Sequence, residues 1–260
     1  MATATRVVLI IEYDGTDYYG FQWQSGQPTI QSELEAAIER LTDRWTRVVS
    51  ASRTDTGVHA RGQVVTFRTE SSLPTERLVS GLNHYLPQDI AVRAAYRVAD
   101  SFHVQREAPS REYDYRILNR RARSPILRRF AHLVPVPLDT GAMNKACELL
   151  LGEHDFASFA SDMEPGRQGT VKVVYQARVE RDGEMVTYNV VANSFLPHQV
   201  RNTVGVLIRV GLERLEVSEV RGIMEARKPG LAGPTAPACG LCLVKVNYPV
   251  PFEERVNENL

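Results

Sequence analysis

Residues 171–194, VKVVYQARVERDGEMVTYNVVANS, decide the fold class. They read as two strands, near Val171 to Arg181 and Met185 to Ser194, that adjoin without a helix between them. Parallel neighbours need a long crossover, so adjoining strands argue for an antiparallel or mixed sheet and against a doubly wound parallel one. Outward from this pair, a helix is expected from about Thr140 to Leu151, another near His198 to Leu212, a short one near Ser218 to Ala226, and a closing strand near Leu241 to Tyr248. The first half shows the same mixture. Arg6 to Tyr13 reads as a strand that ends at the Asp14-Gly15 turn, and from Thr29 the residues Ile30, Leu34, Ala37, Ile38 and Leu41 recur at helical spacing. Trp45 to Ala51 and Gln63 to Arg68 read as strands flanking a polar loop, Ser52 to Gly62. Pro74 to Leu86 is a further helix, and Ile90 to Val98 a further strand. Segment Arg111 to Asn119 alternates, with Tyr113, Tyr115 and Ile117 on one side and Glu112, Asp114 and Arg116 on the other. The sum is an α+β protein with helices flanking a mixed or antiparallel central sheet. No stretch has linker composition, so two lobes, 1–105 and 106–260, are expected to share a continuous sheet.

Composition excludes more than it selects. The chain has 260 residues, 43% hydrophobic and 24% charged, with a formal net charge of zero, so the molecule as a whole exerts no long-range pull on a polyanion. Charge distribution is more informative, because only Lys145, Lys172, Lys228 and Lys245 are lysines and arginine supplies the rest. A guanidinium fork suits phosphates and base edges better than an ammonium does. From Arg106 to Arg129 there are eight arginines against Glu107, Glu112 and Asp114. That cluster reads either as a solvated face or as a polyanion-binding stripe. The apolar run near the N-terminus is only five residues long and is followed by an acid, too short for a signal or membrane segment, so a cytoplasmic protein is expected. Cys239 and Cys242 form a CxxC without a second ligand pair, which predicts an incidental spacing and no metal.

The polar loop holds the residues that bear chemistry. Ala51-Ser-Arg-Thr-Asp-Thr-Gly-Val-His-Ala60 gathers Arg53, Asp55 and His59 around a glycine, between apolar strands. Such a loop can project reactive groups from a rigid scaffold. It can equally be a plain turn in which Asp55 caps backbone amides and Arg53 pairs with acids. Asp14 and Asp17 read as turn residues, since hard cations want more oxygen ligands at defined spacing. A metal-dependent hydrolase built on Asp14, Asp17, Asp55 and His59 is the rival reading.

Nine separated blocks occur in order along nearly the whole chain. They are Glu12 to Gly20 with Gln22; Ser52 to Ala60 with Gly62-Gln-Val64; Leu86-Pro87 with Asp89 to Arg93; and Phe102-His103. Then come Arg111 to Arg116, Leu150 to Phe156 with Ser158-Phe159, Val200-Arg-Asn202 with Gly205, Leu231 to Ala238, and Gly240-Leu241. In this the chain resembles the bacterial tRNA pseudouridine synthases that modify anticodon-arm positions 38 to 40. The resemblance implies the pseudouridine synthase fold, a homodimer, the tRNA anticodon arm as partner, and no cofactor. By the same resemblance Asp55 is the catalytic carboxylate, Tyr113 stacks on the target base, Arg201 pairs with the aspartate, and Arg53 helps expel the base. His59 either binds RNA or orients the loop. Arg106, Arg111, Arg120, Arg121 and Arg123 are expected along the RNA-binding surface. A synthase acting on another RNA, or a module that binds RNA without catalysis, are the remaining alternatives. The chain departs from the family at Val104 and Gln105, where alanine and arginine are usual, at Phe21, which replaces a tryptophan and is expected to keep an aromatic surface, and at Thr56.

Overall fold

The computed structural model describes residues 4–161 and 169–255. Ten strands and six α-helices are interleaved among the described residues. In chain order they are β1 (Thr5–Tyr13), α1 (Ile30–Thr42), β2 (Val49–Ser50), β3 (His59–Thr69), α2 (Thr75–Tyr85), β4 (Ile90–Val98), β5 (Ser110–Leu118) and β6 (His132–Leu133). There follow α3 (Thr140–Glu148), β7 (Gly152–Asp155), β8 (Val171–Asp182), β9 (Met185–Ala192), α4 (Gln199–Gly211), α5 (Val217–Ala226), β10 (Leu241–Asn247) and α6 (Phe252–Arg255). The strand pairing is mixed, as the adjoining strands imply: β8 and β9 pair antiparallel, while β5 and β6 pair in parallel. The fold is α+β. Among the described residues no helix is long and apolar enough to cross a membrane.

The chain forms two compact units. The first contains the described residues through Pro109 and those from Leu243 onward; the second is Ser110–Cys242. This division lies four residues beyond the one expected at 105/106, and the closing strand returns to the first unit. Reading lobes in chain order misses such a return.

In the first unit β1 lies between β3 and β4, antiparallel to both, and β10 borders β3. Val7, Val8, Leu9 and Ile11 of β1 are fully buried, which an interior strand requires. Helix α1 starts at a capping box in which Thr29 accepts the Ser32 N–H and the Ser32 hydroxyl accepts the Thr29 N–H. Its Ile30, Leu34, Ala37 and Ile38 are buried. Helix α6 is anchored by rings: Phe252 stacks on Tyr96 at 5.6 Å and meets Tyr248 at 4.9 Å and Phe102 at 5.7 Å. The Tyr248 hydroxyl donates to the Val104 carbonyl at 2.6 Å. Thus the departure at Val104 and Gln105 lies against interior backbone, with Gln105 Nε2 donating to the Ser50 carbonyl at 3.0 Å.

In the second unit β5, β9, β8 and β7 follow one another, all antiparallel. The alternation in β5 is as expected: Tyr113, Tyr115 and Ile117 are buried, and Glu112, Asp114 and Arg116 are partly exposed. Helix α4 is buried on nearly every side, including Val200, Val204 and Leu207 but also Asn202, Thr203, Gly205 and Val206.

Three expectations need correction. The strand expected over Trp45 to Ala51 is only Val49–Ser50, and Trp45 is exposed. The loop expected to run to Gly62 ends earlier, because β3 begins at His59 and pairs with β1 from Ala60. Phe21 is no surface aromatic: it is buried. Pairing with β1 decides where β3 begins and burial under neighbouring segments decides Phe21, and neither is visible in local composition.

Candidate active site

Asp55 stands at the head of a four-residue turn closed by the Val58 N–H, which donates to the Asp55 carbonyl at 3.1 Å. Gly57 takes the left-handed φ of 77° that a type II turn reserves for glycine. The turn reading of this loop is therefore correct for its backbone, and it leaves the Asp55 side chain partly exposed and Arg53 exposed. Thr54 is buried, its hydroxyl 2.8 Å from that of Tyr13.

The first motif block explains how the turn is held. Phe21 N–H donates to the Thr54 carbonyl at 3.0 Å, and Gly57 N–H donates to the Tyr18 carbonyl at 3.2 Å. The approach is so close that a Cβ on Gly20 would lie 2.7 Å from the Thr54 oxygen, and one on Gly15 would lie 1.9 Å from the Val58 oxygen. Both glycines are thus required by contact with the turn. His59, buried in β3, has its Nδ1 3.1 Å from the Gly15 N–H and equally 3.1 Å from Asp14 Oδ1. One ring nitrogen cannot accept from the first and donate to the second. Because that Asp14 oxygen already accepts the Thr16 N–H at 3.0 Å and its hydroxyl, we take Nδ1 as the acceptor of Gly15. The bond ties His59 to the segment that packs on the turn.

In the second unit three further motif blocks gather around α4. Asn202 Nδ2 donates to the Phe159 carbonyl at 2.7 Å, while its Oδ1 accepts from Thr235 at 2.6 Å. A Cβ on Gly205 would lie 2.1 Å from the Pro234 oxygen, so segment 231–238 is seated directly on the helix. Arg201 is anchored there: its Nε donates to the Ala236 carbonyl at 2.8 Å, and the Ala236 N–H returns a bond to the Arg201 carbonyl at 3.2 Å. Tyr115 is interior, as expected, with its hydroxyl donating to the Pro237 carbonyl at 2.8 Å. Burial pushes its phenol up, against the opposing influence of the Arg201 guanidinium. Burial likewise raises the Cys239 thiol, the reverse of what a reactive CxxC thiolate needs. Tyr113 is 5% exposed and meets Phe195 edge to face at 5.2 Å and 87°. That contact fixes the ring's plane.

The arginines divide by environment. Arg106, Arg121 and Arg123 are exposed. Arg111 is only 8% exposed and donates to the Asn193 carbonyl at 2.9 Å. Arg120 is committed to Glu184 at 2.9 Å and to the carbonyls of Ala122 and Arg123. Sequence spacing could not separate these classes.

A family described as tRNA pseudouridine synthase matches residues 9–105 and 146–249, which include the Asp55 turn and Arg201 and leave out Tyr113. The chain is 39% identical over 243 residues to tRNA pseudouridine synthase A of Thermoanaerobacter sp. (strain X514), covering 94% of this chain and 99% of that one. It is 43% identical to the proteins of the same name from Roseiflexus sp. (strain RS-1), covering 94% and 91%, and Moorella thermoacetica, covering 92% and 98%. The chain belongs to the tRNA pseudouridine synthase family. It is therefore an isomerase that converts uridine to pseudouridine in tRNA.

Proposed function

We propose that the protein isomerises uridines at positions 38, 39 and 40 of the tRNA anticodon stem-loop, with Asp55 as its catalytic carboxylate. The observation that carries this reading is the Asp55 turn, held by backbone contacts to Tyr18 and Phe21 while its carboxylate stays partly exposed. The reaction breaks the bond from N1 to C1′, turns the uracil, and joins C5 to C1′; C5 gives up a proton and N1 gains one. No electrons or atoms are exchanged with another molecule, so the chemistry calls for no cofactor. Asp55 serves as nucleophile or base, and Arg201 is the cation that pairs with it. Arg53 helps displace the target base from its stack. For His59, which the sequence offers as a substrate-binding or a loop-orienting residue, we assign the positioning of the turn. The protein works in the cytoplasm as a homodimer.

Incubation with unmodified tRNA, followed by chemical mapping of pseudouridine, tests this reading, because the product has the mass of the substrate. Signal at 38 to 40 is expected. Signal only elsewhere in the RNA would overturn the positions, and no signal would overturn the activity.

Tyr113 serves as a platform for the flipped uracil, recovering ~1–3 kcal/mol of stacking, with its hydroxyl as a proton carrier in a later step. Tyr113→Leu should reduce tRNA modification strongly, and Tyr113→Phe separates ring from hydroxyl. Normal turnover in the Leu variant would remove Tyr113 from the site.

The arginine segment acts on phosphates, which position the RNA. Arg106, Arg121 and Arg123 are exposed for that role, whereas the bonds of Arg111 and Arg120 favour a share in shaping the surface. Replacing Arg121 and Arg123 together with alanine should weaken tRNA binding and lower the slope of log K against log salt by about two. Arg120→Ala should leave that slope nearly unchanged. An unaltered affinity and slope in the double variant would reduce the cluster to a solvated face.

A further inference from the structure

Tyr19 and Trp23 are each 47% exposed, and both stand on the segment that buttresses the Asp55 turn. Isolated aromatic rings on a surface need no explanation. These two differ because their backbone is pinned. Tyr19 N–H donates to the Pro28 carbonyl at 2.9 Å, and the Tyr19 carbonyl accepts from Gln24 Nε2 at 2.6 Å. Trp23 N–H donates to Gln31 Oε1 at 2.9 Å. Gln31 is buried in α1, its Nε2 donating to Glu35 Oε1 at 2.7 Å and to the Val48 carbonyl at 3.1 Å. Glu35 is buried as well and accepts the Val48 N–H at 3.0 Å. Burying an amide and a carboxylate is unfavourable unless their bonds are completed, and here completing them fixes the main chain of Trp23.

Between the two rings the chain touches the turn itself. A Cβ on Gly20 would lie 3.2 Å from the Asp55 carbonyl carbon, and Phe21 donates to Thr54. Both rings are therefore carried within three residues of backbone that packs on the catalytic turn. A uridine taken out of a stack leaves its neighbours unstacked, and every base offers a face to an aromatic ring whatever its sequence. We propose that Tyr19 and Trp23 form a stacking platform for the tRNA bases that flank the target uridine. This inference rests on the tRNA-uridine reading above.

Trp23 and Trp45 are the only tryptophans, so Trp45→Phe makes Trp23 the sole indole reporter. Titration of that variant with unmodified anticodon stem-loop RNA should quench the Trp23 emission to saturation. In turnover assays on tRNA, Trp23→Ala should raise KM about tenfold, the loss of one stacked base, with the saturated single-turnover rate within about twofold. Trp23→Phe should restore most of the affinity, and Tyr19→Ala should weaken binding in the same sense. Unquenched emission together with an unchanged KM, in an enzyme that forms pseudouridine, would overturn the platform and leave the activity standing. Quenching by RNA in a protein that forms no pseudouridine would keep the platform and remove the activity. Should Trp23→Ala fail to fold, the titration and the Phe variant still decide.

Discussion

Asp55→Asn is expected to yield a folded protein that binds tRNA with near-normal affinity and forms no pseudouridine, even in single-turnover reactions at enzyme excess. Asparagine keeps the size and shape of the side chain while removing its charge and its nucleophilic oxygen. The turn is closed by the Asp55 carbonyl and the Val58 N–H, and Gly57 supplies its left-handed residue, all of which asparagine leaves in place. Binding survives because phosphate contacts dominate the affinity for RNA. In the proposed mechanism chemistry stops because the group lost acts on the reacting atoms. Measurable product from this variant, with host enzyme excluded, would show that another residue performs the reaction.

Gly15→Ala should be nearly as damaging by a different route. Its methyl group would lie 1.9 Å from the Val58 carbonyl oxygen and 2.6 Å from the carbonyl carbon, so main chain must move. The Gly15 N–H bond to His59 would move with it. We expect a loss of roughly 2–4 kcal/mol of stability, in the range of overpacked or strained sites. Displacing the turn by a fraction of an ångström to about 1 Å should also cost on the order of 10²-fold in turnover. Gly222→Ala is the control: nothing lies within 4 Å of its Cβ, and it sits inside α5, where alanine should add up to about 1 kcal/mol. Denaturant melts and single-turnover rates of both variants check the pair. Wild-type stability and turnover in Gly15→Ala would mean that the close approach does not set the turn.

How much of this was legible in the sequence follows from the range of the interactions involved. The alternation in β5 and the helical spacing in α1 and α4 are local, and they mark those elements within a residue or two. The resemblance names Asp55, Tyr113 and Arg201 as site residues, a role that local pattern alone does not assign. What could not be read is long-range. The start of β3 at His59 is set by pairing with β1, forty-odd positions earlier in the chain. Strand β6 has two residues and β7 is the polar Gly152–Asp155, so neither carries a period to detect. Arg111 and Arg120 look like their neighbours in sequence, and only Asn193 and Glu184, far along the chain, distinguish them. The glycines of the first block read as turn residues, while their real constraint is the backbone of the loop they support.

The return of β10 to the first unit has a meaning for how the protein is made. A ribosome delivers the chain from its N-terminus, and domains generally fold as they emerge. Ser110–Cys242 forms its compact unit from one uninterrupted stretch of chain. The unit that carries the Asp55 turn does not, because the edge of β3 waits for β10 and Phe102 waits for Tyr248 and Phe252. That unit is thus completed only after Ser110–Cys242 has been made, so a chain abandoned before β10 lacks the strand that borders β3.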